Sequence, residues 1–170
     1  VATDPSWIDA LTYSAVELRR LDVLGPMHDG TALGARSGVR PGGGGLNVTL
    51  ASSTITVAAG AAWVQYQSGS GMYRAVLDAA ATLTLTAAHA TLPRVDLVYL
   101  RVYDNTVDAG GLNQVSAVYL AGTAASSPVA PTPAGTQIYI PLATISVPYS
   151  GNGSPTVNTA IRPNTVAPGG

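Results

Sequence analysis

From Leu46 onward, apolar positions recur at every second residue. Leu46, Val48 and Leu50 alternate with polar neighbours, Ile55 and Val57 repeat the pattern, and after Gly60 it resumes at Ala62, Val64 and Tyr66. Residues 68–71 (Ser-Gly-Ser-Gly) read as a turn before Met72–Leu77, and residues 82–86 follow with Leu83 and Leu85 set between threonines. The longest run, residues 93–104, places Val95, Leu97, Tyr99, Arg101 and Tyr103 on one face and Asp96, Val98, Leu100 and Val102 on the other. Both faces are mostly apolar, which predicts a strand covered on each side. Residues 114–121 read as its hairpin return, Ile138–Val147 as a further strand, and residues 156–161 as the one candidate in the tail. Eight or so short strands separated by turn residues predict an all-β fold, an antiparallel β-sandwich over residues 46–162.

Residues 1–45 follow another pattern and read as a docking arm of helix plus linker. Ser14-Ala-Val-Glu17 has the spacing of a capping box, in which the Ser hydroxyl and the Glu carboxylate each satisfy the other's backbone N–H. Tyr13 and Leu18 stand where a hydrophobic staple would place them. The helix is predicted over 14–24, stopping at Gly25-Pro26, with Ala15, Leu18, Leu21 and Leu24 as its apolar stripe. Glu17, Arg19, Arg20 and Asp22 then face water or a partner. A helix of this length is marginal alone and has to dock on its own domain or on a neighbour. Residues 27–45 read as a glycine-rich linker ending in four consecutive glycines. The proline-rich stretch 126–135 predicts an extended crossing. Residues 163–170 read as a second linker, cut short at Ala167-Pro-Gly-Gly170, with a further domain expected beyond it.

Charge narrows the function classes. Charged residues make up 10% of the chain, against about 25% in an ordinary soluble domain. No charged residue lies between Arg40 and Arg74 or between Asp108 and Arg162. Gly, Pro, Ser, Thr and Asn interrupt every apolar run, so neither stretch reads as a membrane span. A surface this poor in charge is a solubility hazard for a lone monomer, so the expectation is that copies of the chain or a larger assembly cover it. The net charge of −1 makes no case for nucleic acid or an anionic membrane as partner. All eight basic residues are Arg and Phe is absent, which points to a GC-rich genome. There is no Cys, so disulfide and thiolate chemistry are excluded. The N-terminus lacks the basic and apolar regions of a signal peptide, so export by the usual secretory route is not expected.

Candidate chemistry is sparse, and no cofactor or metal is expected. His28-Asp29 pairs an imidazole with a carboxylate, but adjacent side chains rarely converge and the pair lies in a Gly-rich loop. His89 reads as a turn or rim residue. The glycines at 42–45 lack the Lys and the Ser or Thr of a phosphate loop, which leaves a hinge. Asp104 to Asp108 offers oxygen ligands without the order of a Ca²⁺ loop, and the expected structure is a hairpin turn with Asx-type bonds. Trp63 and Tyr66 are the candidates for a glycan platform; with Phe absent, the competing expectation is that Trp and Tyr fill the core. Leu18, Leu21, Arg36 and Arg40 are the candidates for an assembly interface, the leucines filling a groove on an adjacent subunit and the arginines gripping carboxylates. Arg94, Asp96 and Arg101 are expected to form charge pairs within the sheet, since Arg94 and Asp96 share a face.

The order of these elements resembles a domain of tailed-phage minor tail, tail-fibre and baseplate receptor-binding proteins. The resemblance rests on the turn Gly60-Ala-Ala62 after an alternating segment and on the strand Pro93-Arg94-Val95-Asp96-Leu97-Val98. It continues through Ala121-Gly-Thr123 with the proline run to Pro133, and through Leu142-Ala-Thr-Ile-Ser-Val147. It covers roughly residues 46–162. The segment from Asp9 to Arg20 is similar to minor tail proteins of actinobacterial phages. The family often closes with an acidic D-x-R element, where this chain has Ala160-Ile161-Arg162-Pro163. The resemblance implies a non-enzymatic virion structural protein, made in the bacterial host cytoplasm and carried on the virion. It also implies a homo-oligomer, often a trimer, that contacts other virion proteins and supports host attachment. A capsid decoration or head-fibre protein is the alternative within that class. A carbohydrate-binding module reading host-surface glycan is the alternative outside it.

Overall fold

A computed structural model describes residues 12, 14–22, 28–67 and 69–164. Its backbone is the strand Arg94–Asp104 (β7), buried along nearly its whole length, as its two apolar faces predict. β7 pairs antiparallel on one side with Asn113–Leu120 (β8) and on the other with Ile138–Val147 (β9). Thr156–Asn158 (β10) adds to the far edge of β9, giving the order β10-β9-β7-β8. A second sheet takes Val48–Ala51 (β2), Thr54–Val57 (β3) and Ala81–Thr84 (β6) in that order. A third takes Gly38–Val39 (β1), Gly60–Gln65 (β4) and Met72–Leu77 (β5). The two three-stranded sheets lie against the large one, β4 on β9, β5 and β6 on β8, and β2 beside β10. The fold is all-β, antiparallel and sandwich-like.

The core lies between these layers. Val98, Leu100 and Val102 of β7 and Ile138, Ile140 and Ile145 of β9 meet Ile55, Val57, Ala62, Val64 and Ala75 from the small sheets. Each such Val, Leu or Ile side chain contributes about 1.5–3 kcal/mol by leaving water, and each Ala less. On the other face of β7, Tyr99 is buried and donates from its hydroxyl to Gln137 at 3.0 Å, edge-on to Tyr139. The proline-rich segment runs along this side, where Ala125 N–H donates to the Pro93 carbonyl at 3.0 Å.

β9 carries an irregularity with a clear cause. Pro141 has no N–H to give, and β9 is a central strand. The ladder skips there: Val98 pairs Ala143 while Tyr99 pairs Pro141. Leu142 falls in the bulge, so burial passes from Ile138, Ile140 and Leu142 to Ala143, Ile145 and Val147 with a one-residue change of phase.

Several boundaries differ from the sequence reading. The helix spans Ala15–Leu21 (α1) with Asp22 as its C-cap; it ends before Leu24, which with Tyr13, Gly25 and Pro26 lies outside the described residues. The capping box forms, with Ser14 N–H donating to the Glu17 carboxylate at 2.7 Å and Glu17 N–H to the Ser14 hydroxyl at 3.3 Å. The expected linker is partly sheet: β1 lies inside it, Ala35 and Val39 are buried, and Val39 N–H donates to the Pro163 carbonyl at 2.8 Å. A two-residue strand is too short to show a period, so the pattern could not reveal it. The β7–β8 connection is a single helical turn, Asn105–Asp108 (α2), closed by Ala109 in the left-handed region.

Candidate functional site

α1 docks on its own domain, but with the side opposite to the one expected. Arg20 Nε donates to the Gly69 carbonyl at 3.0 Å and Arg19 Nε to that of Ser70 at 3.5 Å. The Arg19 guanidinium lies 4.5 Å from the centre of the Tyr73 ring and 3.9 Å from Asp104. Arg74 grips the Asp22 carboxylate through both Nε, at 2.8 Å, and Nη2. At Gly71, which has φ +81°, the Arg19 backbone occupies the space a Cβ would need. The docking surface is therefore a glycine turn offering carbonyls, a tyrosine ring and an arginine, and it selects the polar side of the helix. Ala15, Val16 and Leu18 remain outside, Leu18 with 50% of its surface exposed, while Leu21 is half-buried. Burial pushes the Tyr73 hydroxyl up to about 12, helped by its 2.8 Å bond to the Asp104 carboxylate. Asp104 itself is held below the usual carboxyl range, chiefly by the Thr106 hydroxyl.

The outward face of the β1-β4-β5 sheet collects the remaining candidates. Cross-strand pairing sets Gly38 beside Trp63 beside Arg74, and Ala61 beside Val76. Arg40 N–H donates to the Ala61 carbonyl at 2.9 Å, which continues the register and brings Arg40 into the second row. A concavity of about 230 Å³ is lined by Arg40, Ala61, Trp63, Arg74 and Val76. A second, of about 410 Å³, shares Arg40, Ala61 and Val76 and extends to the glycine loop at 42–45. Val76 is 57% exposed. Arg36 and Arg40 are exposed and make no ion pair among the described residues. The Trp63 indole N–H is buried with no acceptor.

Trp63 and Tyr66 do not form one platform. Ala62 and Val64 point into the core, so Trp63 is on the outer face, while Tyr66 packs against the core. Their odd spacing in an alternating segment already places them on opposite faces. Arg74 and Val76 were missed as site residues, although their alternation with Tyr73 and Ala75 puts them on one face of β5.

Arg94 and Asp96 are locked into the architecture. Arg94 Nε donates to both Asp96 oxygens, at 2.9 and 3.1 Å, and its terminal nitrogens reach the carbonyls of Ala87 and Thr86. Asp96, fully buried, also accepts from the Tyr119 hydroxyl at 2.6 Å and from Gly122 N–H at 2.8 Å. Gly122 lies so close to the Val95 carbonyl that a side chain has no room. Burial works against the Arg94 charge, yet Asp96 outweighs it and holds the guanidinium above its ordinary value. Thus two pieces of sequence that carried the resemblance touch each other, and their role is to clasp four segments together. Arg101 pairs with Asp108 at 2.9 Å.

The other candidates resolve into turns. His28 Nδ1 accepts from Gly30 N–H, while Asp29 turns to Thr31 and Gln65. His89 Nδ1 accepts from Thr91 and Leu92. Asp104 caps α2, and Asp108 and Asn105 accept from Gly110 and Gly111, the expected Asx-type bonds. Among the described residues no cluster of three His, Asp or Glu could hold a metal, and no helix is long and apolar enough to cross a membrane.

Exposed charge is unevenly placed. Among the described residues, the exposed charged side chains are Arg20, Asp29, Arg36, Arg40, Arg74 and Asp78, all on or beside the β1-β4-β5 sheet and α1. The other two sheets expose none. On β2-β3-β6 the register lines Thr49 with Thr56 and Thr82, and Thr54 with Thr84.

No protein-family model, curated protein or solved structure matches this chain.

Proposed function

We propose that this protein is a non-enzymatic structural component of a tailed-phage virion, a tail-tip or baseplate protein that assembles as a homo-oligomer and supports host attachment. The observation that carries the reading is the absence of exposed charge from two of the three sheets among the described residues. A threonine-lined sheet, and a large sheet whose charged side chains are ion-paired and at most partly exposed among the described residues, are surfaces suited to burial against copies of themselves. The motif resemblance supplies the virion context. Leu18, exposed on α1, is placed to enter an adjacent subunit while Arg19, Arg20 and Asp22 hold the helix to its own domain. The separation of Trp63 from Tyr66 weighs against a carbohydrate platform.

Light scattering on the purified chain tests self-association directly. The expected mass is that of a trimer, unchanged on dilution through the micromolar range. A monomer at all concentrations removes the self-association part of the proposal. Incorporation of a tagged chain into particles tests the virion part; a protein absent from purified particles would refute it.

A further inference from the structure

The outward face of the β1-β4-β5 sheet has the opposite character to the surfaces assigned to self-association. Its exposed charges, with those of α1, are four arginines, Arg20, Arg36, Arg40 and Arg74, against two aspartates, Asp29 and Asp78. A second copy brought to this face by the same surface would set a net positive surface against a net positive surface, a repulsive arrangement. We infer that this face binds an acidic protein segment, with Arg40 and the groove over Ala61, Trp63 and Val76 as its site.

The chain already displays the mode of capture. Asp22, a polypeptide carboxylate arriving at the end of α1, is taken by Arg74 through two nitrogens of the guanidinium. Arg40 stands two strands away, about 9–10 Å in the pairing direction, and carries no such partner among the described residues. Arg36 precedes it on the same segment and is likewise exposed. Between Arg40 and Arg74 the floor is apolar, formed by Ala61, Val76 and the side of Trp63. An incoming segment with a carboxylate and a neighbouring aliphatic side chain satisfies both features: a bidentate pair to Arg40 and cover for Val76. A saccharide would instead need an open ring face to stack on, and the Trp63 indole is largely covered. The inference stands on this sheet alone and does not depend on self-association of the other two.

The test uses the full chain and a dye-labelled hexaglutamate, read by fluorescence anisotropy at low salt, with hexaglutamine and polygalacturonate as comparison probes. Hexaglutamate is expected to bind, to shift tryptophan emission, and to be released at about 0.5 M NaCl, where screening shortens the reach of charge to a few ångström. Arg40→Gln should weaken it about tenfold, and Arg40→Lys by several fold, because an ammonium keeps the charge but loses the fork. Both variants should keep the wild-type melting temperature and oligomer mass, which separates this site from the assembly surfaces. No binding of hexaglutamate at low salt would overturn the inference. So would Arg40→Lys binding as well as wild type, which would mean diffuse attraction without a built site. Tighter binding of polygalacturonate than of hexaglutamate would transfer the groove to an acidic glycan and overturn it equally.

Discussion

The β1-β4-β5 sheet and the β10-β9-β7-β8 sheet handle charge in opposite ways. The first displays it, with Arg36, Arg40 and Arg74 at its surface. The second hides it, with Arg94 and Asp96 covered and each satisfied by several partners. The same chemical pair, arginine with aspartate, occurs in both: Arg74–Asp22 outside and Arg94–Asp96 inside. The difference is solvent. Arg74 has 72% of its side chain in water, against 14% for Asp22, so the arginine keeps most of its hydration and the pair contributes less than a buried one. The buried pair has lost that alternative, so removing one partner strands the other.

The largest expected effect comes from stranding a buried charge. Asp96→Asn leaves Arg94 covered and without a counter-charge, and should cost about 3–5 kcal/mol of folding stability by chemical denaturation. An effect below about 1 kcal/mol would show that water reaches the pair.

Adding charge where a sheet exposes none should act on assembly. Thr82→Lys with Thr84→Lys should weaken self-association at least tenfold, about 1.4 kcal/mol, read as a fall in mass by light scattering. Monomer stability should move by no more than about 0.5 kcal/mol, as for ordinary surface substitutions. An unchanged mass would take β2-β3-β6 out of the proposed interface.

The exposed pair should matter less. Asp22→Asn is expected to cost about 1 kcal/mol or less, with the loss confined to α1 and visible as faster hydrogen exchange at Leu18, whose N–H donates to the Ser14 carbonyl at 3.1 Å. A global loss of stability would mean that α1 is integral to the core.

The smallest effect is that of acid. Ser14 holds the Glu17 carboxyl below its usual range, and Thr106 does the same for Asp104, which also faces Arg19. Carboxyls with lowered folded values stabilise fully above their unfolded values of about 4 and lose that contribution as pH falls through the lowered ones. Protection of the α1 amides, measured by hydrogen exchange, should therefore be flat near neutrality and decline below about pH 4. A decline already at pH 6 would require another titrating group.

Much of the fold was legible because alternation survives in single strands. Met72–Leu77 and Ile138–Val147 were read with their observed ends, and the capping box formed from its spacing alone. The Arg94–Asp96 contact followed from the two residues sharing a face. What could not be read were relations between distant segments. α1 has an apolar stripe, yet nothing in its own residues says that the turn at 69–71 will offer carbonyls and a tyrosine ring. Likewise the groove at Arg40 exists only because β1, β4 and β5 are adjacent, and β1 is two residues long. The phase change in β9 was not legible either: Ile138–Val147 reads as a regular strand, although Pro141 lacks the N–H a central strand needs.

The clasp around Asp96 also has a kinetic consequence. Through Arg94 it gathers the carbonyls at 86 and 87, and through the Asp96 carboxylate it gathers the Tyr119 hydroxyl and the amide of Gly122. Such a junction closes only after the hairpin of β7 and β8 has zipped and the loop after β6 has come to rest. If the clasp closes after the rate-limiting step, disturbing it should speed unfolding and leave the refolding rate nearly untouched, which stopped-flow measurement of Asp96→Asn checks. The motif that carries the resemblance would then act as a latch, setting how long the folded chain lasts.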